Sequence, residues 1–148
     1  MTVVTDLNPD TEALAERMFA AVAAGDKDEI LKVQRADCKI WHSFDDRVVD
    51  LPTVFVILEA LVATVKDIRF EEVRRRAFTD GTDGFIQTHV ITGTLSNGDA
   101  VRVPSCMFIY ITDGWVTRVE EYIDSDVVRM LTPQAHSVDE VDAHLAHS

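Results

Sequence analysis

Apolar positions recur at helical spacing near the start of the chain. Leu14, Met18, Ala21 and Val22 fall on one face of a helix. Asn8 can cap that helix with Pro9 in its first turn, and Gly25 can end it in the left-handed conformation. Asp26 and Glu29 make an acid-x-x-Glu start for a second, short helix carrying Ile30, Leu31 and Val33. "CKIWH", 38–42, reads as a short strand, and a polar loop, "SFDDRVVD", follows it. The run 51–67, "LPTVFVILEALVATVKD", carries mixed signals. Its β-branched residues favour a strand. Its length, the spacing of Val54, Leu58, Leu61 and Val65, and Asp50 with Pro52 at the start favour a largely buried helix, which is the reading adopted.

The rest of the pattern is β. Four long strands are predicted at 68–78, 85–95, 100–111 and 115–124, separated by "TDGTDG", "SNGD" and "TDG". Asp/Asn-Gly turns of this kind mark hairpins. Helix, helix, strand, helix and a long antiparallel meander together predict an α+β fold with helices on one face of a curved sheet.

Strand side chains alternate between faces, so each strand divides into two sets. Phe85, Gln87, His89, Ile91 and Gly93 form the inward set of one strand. Val101, Val103, Ser105, Met107 and Ile109 form that of the next. The last strand does not divide cleanly. Trp115, Thr117, Val119, Glu121 and Ile123 are the more apolar set, and a plain core argument turns them inward. Val116, Arg118, Glu120, Tyr122 and Asp124 are the more polar set, which suits the wall of a pocket where the helices leave the sheet uncovered.

Composition narrows the function classes. The 148 residues carry a formal net charge of −12. Such an acidic chain repels phosphate backbones, so nucleic acid is not an expected partner. The one basic run, Arg74 to Arg76 beside Glu71 and Glu72, reads as a solvated, ion-paired strand surface. No apolar run reaches the ~20 residues of a membrane helix, and no signal peptide is visible. Cys38 and Cys106 both lie in apolar runs and read as buried thiols of a cytoplasmic protein. No phosphate loop, Gly-x-Ser-x-Gly or dinucleotide fingerprint occurs, so no cofactor is expected. His136, His144 and His147 form no compact ligand cluster, and no metal site is expected.

The order of elements, Trp41-His42 in the first strand, and the closing "DGWVTRVEEYIDSDVVRML" together resemble the nuclear-transport-factor-two-like superfamily, and within it the SnoaL-like group. The resemblance covers about 10–131. It leaves 1–9 as an N-terminal tail and 132–148 as a C-terminal tail or short peripheral helix begun by Ser137 and Glu140. It implies a cone-shaped curved antiparallel sheet wrapped around a long helix, with two further N-terminal helices and a deep apolar pocket for a small hydrophobic molecule. It also implies a homodimer paired through the outer sheet face. Its enzymes include ketosteroid isomerase, limonene epoxide hydrolase and polyketide cyclases. Other members are binding or association modules.

Residue by residue, Asp124 matches the family's strand-end acid and becomes the expected acid/base. Tyr122, His89 and His42 are its candidate orienting or oxyanion-stabilising partners. Trp41, Phe19, Phe44, Phe55, Met107, Gln87 and Glu120 are candidates to line the pocket. Each also has a plain structural reading as core, packing or a hydrogen-bonded strand residue. Gln87 and His89 stand where an epoxide hydrolase needs Asp and Arg, so that chemistry is disfavoured. Asp45 and Asp46 fall in the loop after His42, expected to be wet. The implied activity is a cofactor-independent isomerase or cyclase for a steroid-like or polyketide-like carbonyl compound. The alternative is a non-catalytic module binding a hydrophobic ligand or a partner chain.

Overall fold

The computed structural model describes residues 2–131. The capping pair Ser137 and Glu140 and the three tail histidines lie outside the described residues. The elements run β1 (Val4–Thr5), α1 (Pro9–Ala24), α2 (Lys27–Ile30), β2 (Gln34–His42), β3 (Arg47–Val49), α3 (Leu51–Thr64), β4 (Val65–Ala77), β5 (Gly84–Leu95), β6 (Ala100–Thr112), β7 (Trp115–Tyr122) and α4 (Ser125–Leu131). The fold is α+β, with one seven-stranded sheet in the order β1-β4-β5-β6-β7-β2-β3.

The helix signals act as read. Asn8 accepts from the Thr11 amide, Pro9 opens α1, and Gly25 closes it at φ 66°. Asp26 caps α2 through the Glu29 amide, and Asp50 caps α3 through that of Thr53. α1 buries Met18, Phe19 and Ala21 against the sheet, with Leu14 and Val22 packed at the edge of that core. α3 ends at Thr64, before the predicted 67, because Val65 already pairs with Leu95 of β5.

Other expectations are corrected. The segment before α1 is not a free tail, since Val4 and Thr5 pair in parallel with Arg74 and Arg75. β2 is longer than 38–42, and β3 occupies part of the predicted loop. The sheet is mixed rather than wholly antiparallel, because β2 runs parallel to β7. The middle of the basic run is buried, not solvated. Arg75 pairs with Glu12 and Glu16 of α1 rather than with Glu71 or Glu72.

The sheet must curl. α3 packs against both β2 and β4, which lie near opposite edges of the strand order. Asp67 and Glu72 supply the bends in β4. Both have positive φ, and both fall where the β4–β5 register shifts. Bulges of this kind bend a strand and increase its twist. Gly93 of β5 admits the close approach of β4. A Cβ there would lie 2.4 Å from Val65 Cγ1 and 2.8 Å from the Lys66 carbonyl oxygen. Among the described residues, no helix is long and apolar enough to cross a membrane.

Candidate functional site

The curled sheet, α1, α3 and α4 line a partly open cavity of about 150 Å³. α1 contributes Met18, Phe19 and Val22, α3 contributes Val54 to Leu61 on one face, and α4 contributes Val128 and Leu131. Among the described residues, three with polar side chains line it: Gln34, His42 and Glu121.

A bulge in β7 decides which acid looks inward. Tyr110 pairs with Arg118 but Ile111 pairs with Val116, so β7 has one extra residue there. The extra residue shifts the alternation. Val116 is buried, and after the bulge Val119, Glu121 and Ile123 face the interior. Neither alternating set is therefore correct along the whole strand. The parallel register of β2 with β7 then places His42 beside Glu121. His42 Nε2 lies 3.7 Å from Glu121 Oε1, with the two side chains 8% and 17% exposed. Ser105 of β6 donates to Glu121 Oε2 at 3.3 Å. The Ser43 amide holds the Glu121 carbonyl at 2.9 Å, and the Ser43 hydroxyl clamps the Ile123 backbone, fixing the end of β7. Phe44 packs beside the His42 ring, with centroids 4.8 Å apart.

Burial dominates the electrostatics. It pushes the Glu121 carboxyl up to about 7, against a smaller opposing effect from the Ser105 hydrogen bond. It also pushes His42 down to about 4. At neutral pH His42 is thus an uncharged imidazole, and Glu121 is divided between acid and carboxylate. The close approach is not an ion pair under those conditions, because a dry site favours the neutral forms of both partners. His42 Nδ1 and Gln34 Oε1 are buried without a hydrogen-bond partner among the described residues.

The structure redistributes the candidate residues. His42, Phe19, Phe44 and Met107 line the cavity. Asp124 does not. It is exposed, and its carboxylate accepts from the Asp126 amide at the start of α4. Tyr122 is 47% exposed and stacks edge-on with Trp41, whose indole donates to Asp46 at 2.8 Å. Trp41, Tyr122 and Glu120 belong to the outer face. Glu120 lies 3.9 Å from Arg118 there. Phe55 packs against the core without lining the cavity. Asp46 is exposed as expected, whereas Asp45 is half-buried and its carboxyl is raised by burial.

His89 and Gln87 are buried behind the cavity wall in a polar relay. Arg75 Nε donates to Gln87 Oε1 at 2.7 Å, and Gln87 Nε2 lies 3.0 Å from His89 Nδ1. With Oε1 occupied as acceptor, the Gln87 amide nitrogen must donate, so Nδ1 is the bare nitrogen of His89. Burial, with the nearby Arg75 charge, lowers His89 to about 4, so its single proton is on Nε2. That atom has no hydrogen-bond partner among the described residues, and the ring sits edge-on to Phe19 and Phe70, both of which line the cavity.

Residues 15–119 match the SnoaL-like domain. The chain belongs to the SnoaL-like family. Solved structures agree on the fold. A putative polyketide cyclase from Xanthomonas campestris pv. campestris superposes with a TM-score of 0.66 at 18% identity, covering 85% of this chain and 96% of that one. A steroid delta-isomerase from Pseudomonas aeruginosa gives 0.62 at 14% identity, covering 96% and 98%. PrhC from Penicillium brasilianum gives 0.65 at 13% identity, covering 88% and 90%. Likeness at these identities speaks to the SnoaL-like fold alone. No curated protein sequence matches the chain. Among the described residues of this SnoaL-like chain, no group of three or more His, Cys, Asp or Glu is placed to hold a metal ion.

Glu121 was missed as a candidate because a strand motif drew attention to Asp124. The signal that could have found it was the apolar company of Val119 and Ile123. Its pairing with His42 depends on the contact of β2 with β7, which no local pattern encodes.

Proposed function

We propose that this SnoaL-like protein is a cofactor-independent isomerase or cyclase that moves a proton on a hydrophobic carbonyl compound. One observation carries the reading. The Glu121 carboxyl lies in the wall of an apolar cavity, within 3.7 Å of a buried, uncharged histidine.

The chemistry follows from that environment. A proton-transfer group works best when both of its forms are populated at the working pH. Burial brings Glu121 to that condition. As carboxylate it removes a proton from the carbon beside the carbonyl, and the electron pair moves onto oxygen to give an enolate. As acid it returns the proton at another carbon, or after that enolate has closed a ring. The enolate oxygen needs a hydrogen-bond donor aimed at it. A neutral His42 carries one N–H, and it takes that role. Among the described residues, three polar side chains in an otherwise apolar lining orient the substrate without hydrating it.

Non-catalytic binding of a hydrophobic ligand is the second reading, and the predominance of apolar lining favours it. Pairing of two chains through the outer sheet face belongs to either reading. Exposed Val48 and Tyr122 beside Trp41 on that face support it.

Exchange of solvent deuterium into cyclic ketones, followed by mass spectrometry, separates the two. General acid/base groups contribute roughly 10²–10⁴-fold to rate. Glu121→Gln should reduce exchange by at least ~100-fold, while Asp124→Asn should leave it near wild type. Equal exchange by wild type and Glu121→Gln would remove the catalytic reading in favour of binding alone.

A further inference from the structure

The SnoaL-like cavity is small for the ligand classes attached to its structural neighbours. Its volume is about 150 Å³. An engineered apolar cavity of ~150 Å³ in another protein holds one benzene ring. Pockets for drug-sized molecules run to ~300–1,000 Å³. A volume of this size encloses about one ring, so most of a four-ring molecule would have to lie outside it.

Its walls also resist enlargement. Met18, Phe19, Ile40, Leu58 and Val119 are lining residues and also members of the buried core. Widening the cavity would unpack that core, and densely packed interiors resist such strain. Leu131 of α4 is 4% exposed and closes another side. The polar lining is sparse as well. Gln34, His42 and Glu121 can together serve only a few polar groups of a ligand, and two of their atoms, Gln34 Oε1 and His42 Nδ1, are buried with no partner among the described residues.

We propose that the cavity is built for a neutral, single-ring carbonyl compound, or an open-chain one of equal bulk, and excludes polycyclic substrates. The carbonyl end lies against His42 and Glu121. The remaining ring carbons lie against the apolar faces of α1 and α3. Gln34 Oε1 is left to accept a hydrogen bond from a hydroxyl group on the ligand. This inference rests on the proton-transfer reading for the placement of the carbonyl, but not for the size limit.

The test measures binding apart from turnover. Titration calorimetry and saturation-transfer NMR are run on the Glu121→Gln protein, which retains the shape of the cavity. The probes are cyclohex-2-enone, its 4-isopropyl derivative, and the four-ring enone androst-4-ene-3,17-dione. The single-ring probes should bind at least tenfold more tightly than the four-ring one. Ile57→Phe, which adds bulk to a half-buried lining position, should weaken single-ring binding at least tenfold while leaving the circular dichroism spectrum unchanged. Tighter binding of the four-ring probe, or binding of neither class, overturns the proposal. Failure of deuterium exchange with single-ring binding intact would count against the proton-transfer reading alone. Exchange intact with four-ring binding preferred would count against the size limit alone.

Discussion

Glu121 gives the account a thermodynamic signature that does not depend on knowing the substrate. Burial raises its carboxyl from an ordinary 4.5 to about 7. The folded protein therefore holds this proton more tightly than the unfolded chain does. The contribution to stability is fully present below about pH 4.5 and is lost as pH rises through about 7. At about 1.36 kcal/mol for each pH unit, the displacement corresponds to about 3 kcal/mol. With the side chain only 17% exposed, solvent screening reduces that figure modestly. Glu121→Gln keeps the shape of the side chain and removes the titration. Urea unfolding of both proteins is measured from pH 4.5 to 8. The stability of the wild type relative to Glu121→Gln should fall by about 3 kcal/mol across that range. His42 and His89 contribute in the opposite sense. Burial lowers both, so their contribution is present above about 6.5 and is lost as pH falls through about 4. Both remain in the variant, and the comparison cancels them. Parallel stability curves over the range would refute the placement of Glu121 in a dry wall.

Three further outcomes test the frame around the site. Gly93→Ala forces a Cβ to within 2.4 Å of Val65 Cγ1 and should cost about 1–3 kcal/mol, read as a lower Tm; an unchanged Tm would contradict the close packing of β4 on β5. Arg75→Met leaves Gln87 buried without its partner and Glu12 and Glu16 without their cation, and should cost about 3 kcal/mol in urea unfolding. A loss below the ~0.5 kcal/mol typical of surface changes would mean the relay is not structural. Nitrogen-15 NMR of the histidines should show His89 protonated at Nε2 and bare at Nδ1, and Gln87→Leu should abolish that preference; a wild-type ring protonated at Nδ1 would contradict the relay.

Much of the fold was legible because its signals are local. Asn8, Asp26 and Asp50 cap the helices they were expected to cap, and Gly25 ends the first. Alternation also placed the inward faces of β5 and β6, where Gln87, His89, Ser105 and Met107 all turn inward. The site was less legible because it depends on departures from regularity and on distant pairing. One extra residue in β7 exchanges the faces of the strand part-way along, so Asp124 and Tyr122 turn to solvent and Glu121 turns in. β2 reaches β7 only after the chain has passed through the whole meander, and that pairing brings His42 to Glu121. Arg75 was hidden for a similar reason. Its flanking arginines are exposed, and the acids it meets lie on α1, about sixty residues earlier in the chain.

The most direct measurement is a carbon-13 NMR titration of the glutamate side-chain carboxyls, with Glu121 assigned by its absence in Glu121→Gln. A titration midpoint near 7 is the predicted result. A midpoint at the ordinary 4.5 would place that carboxyl in water and contradict the account.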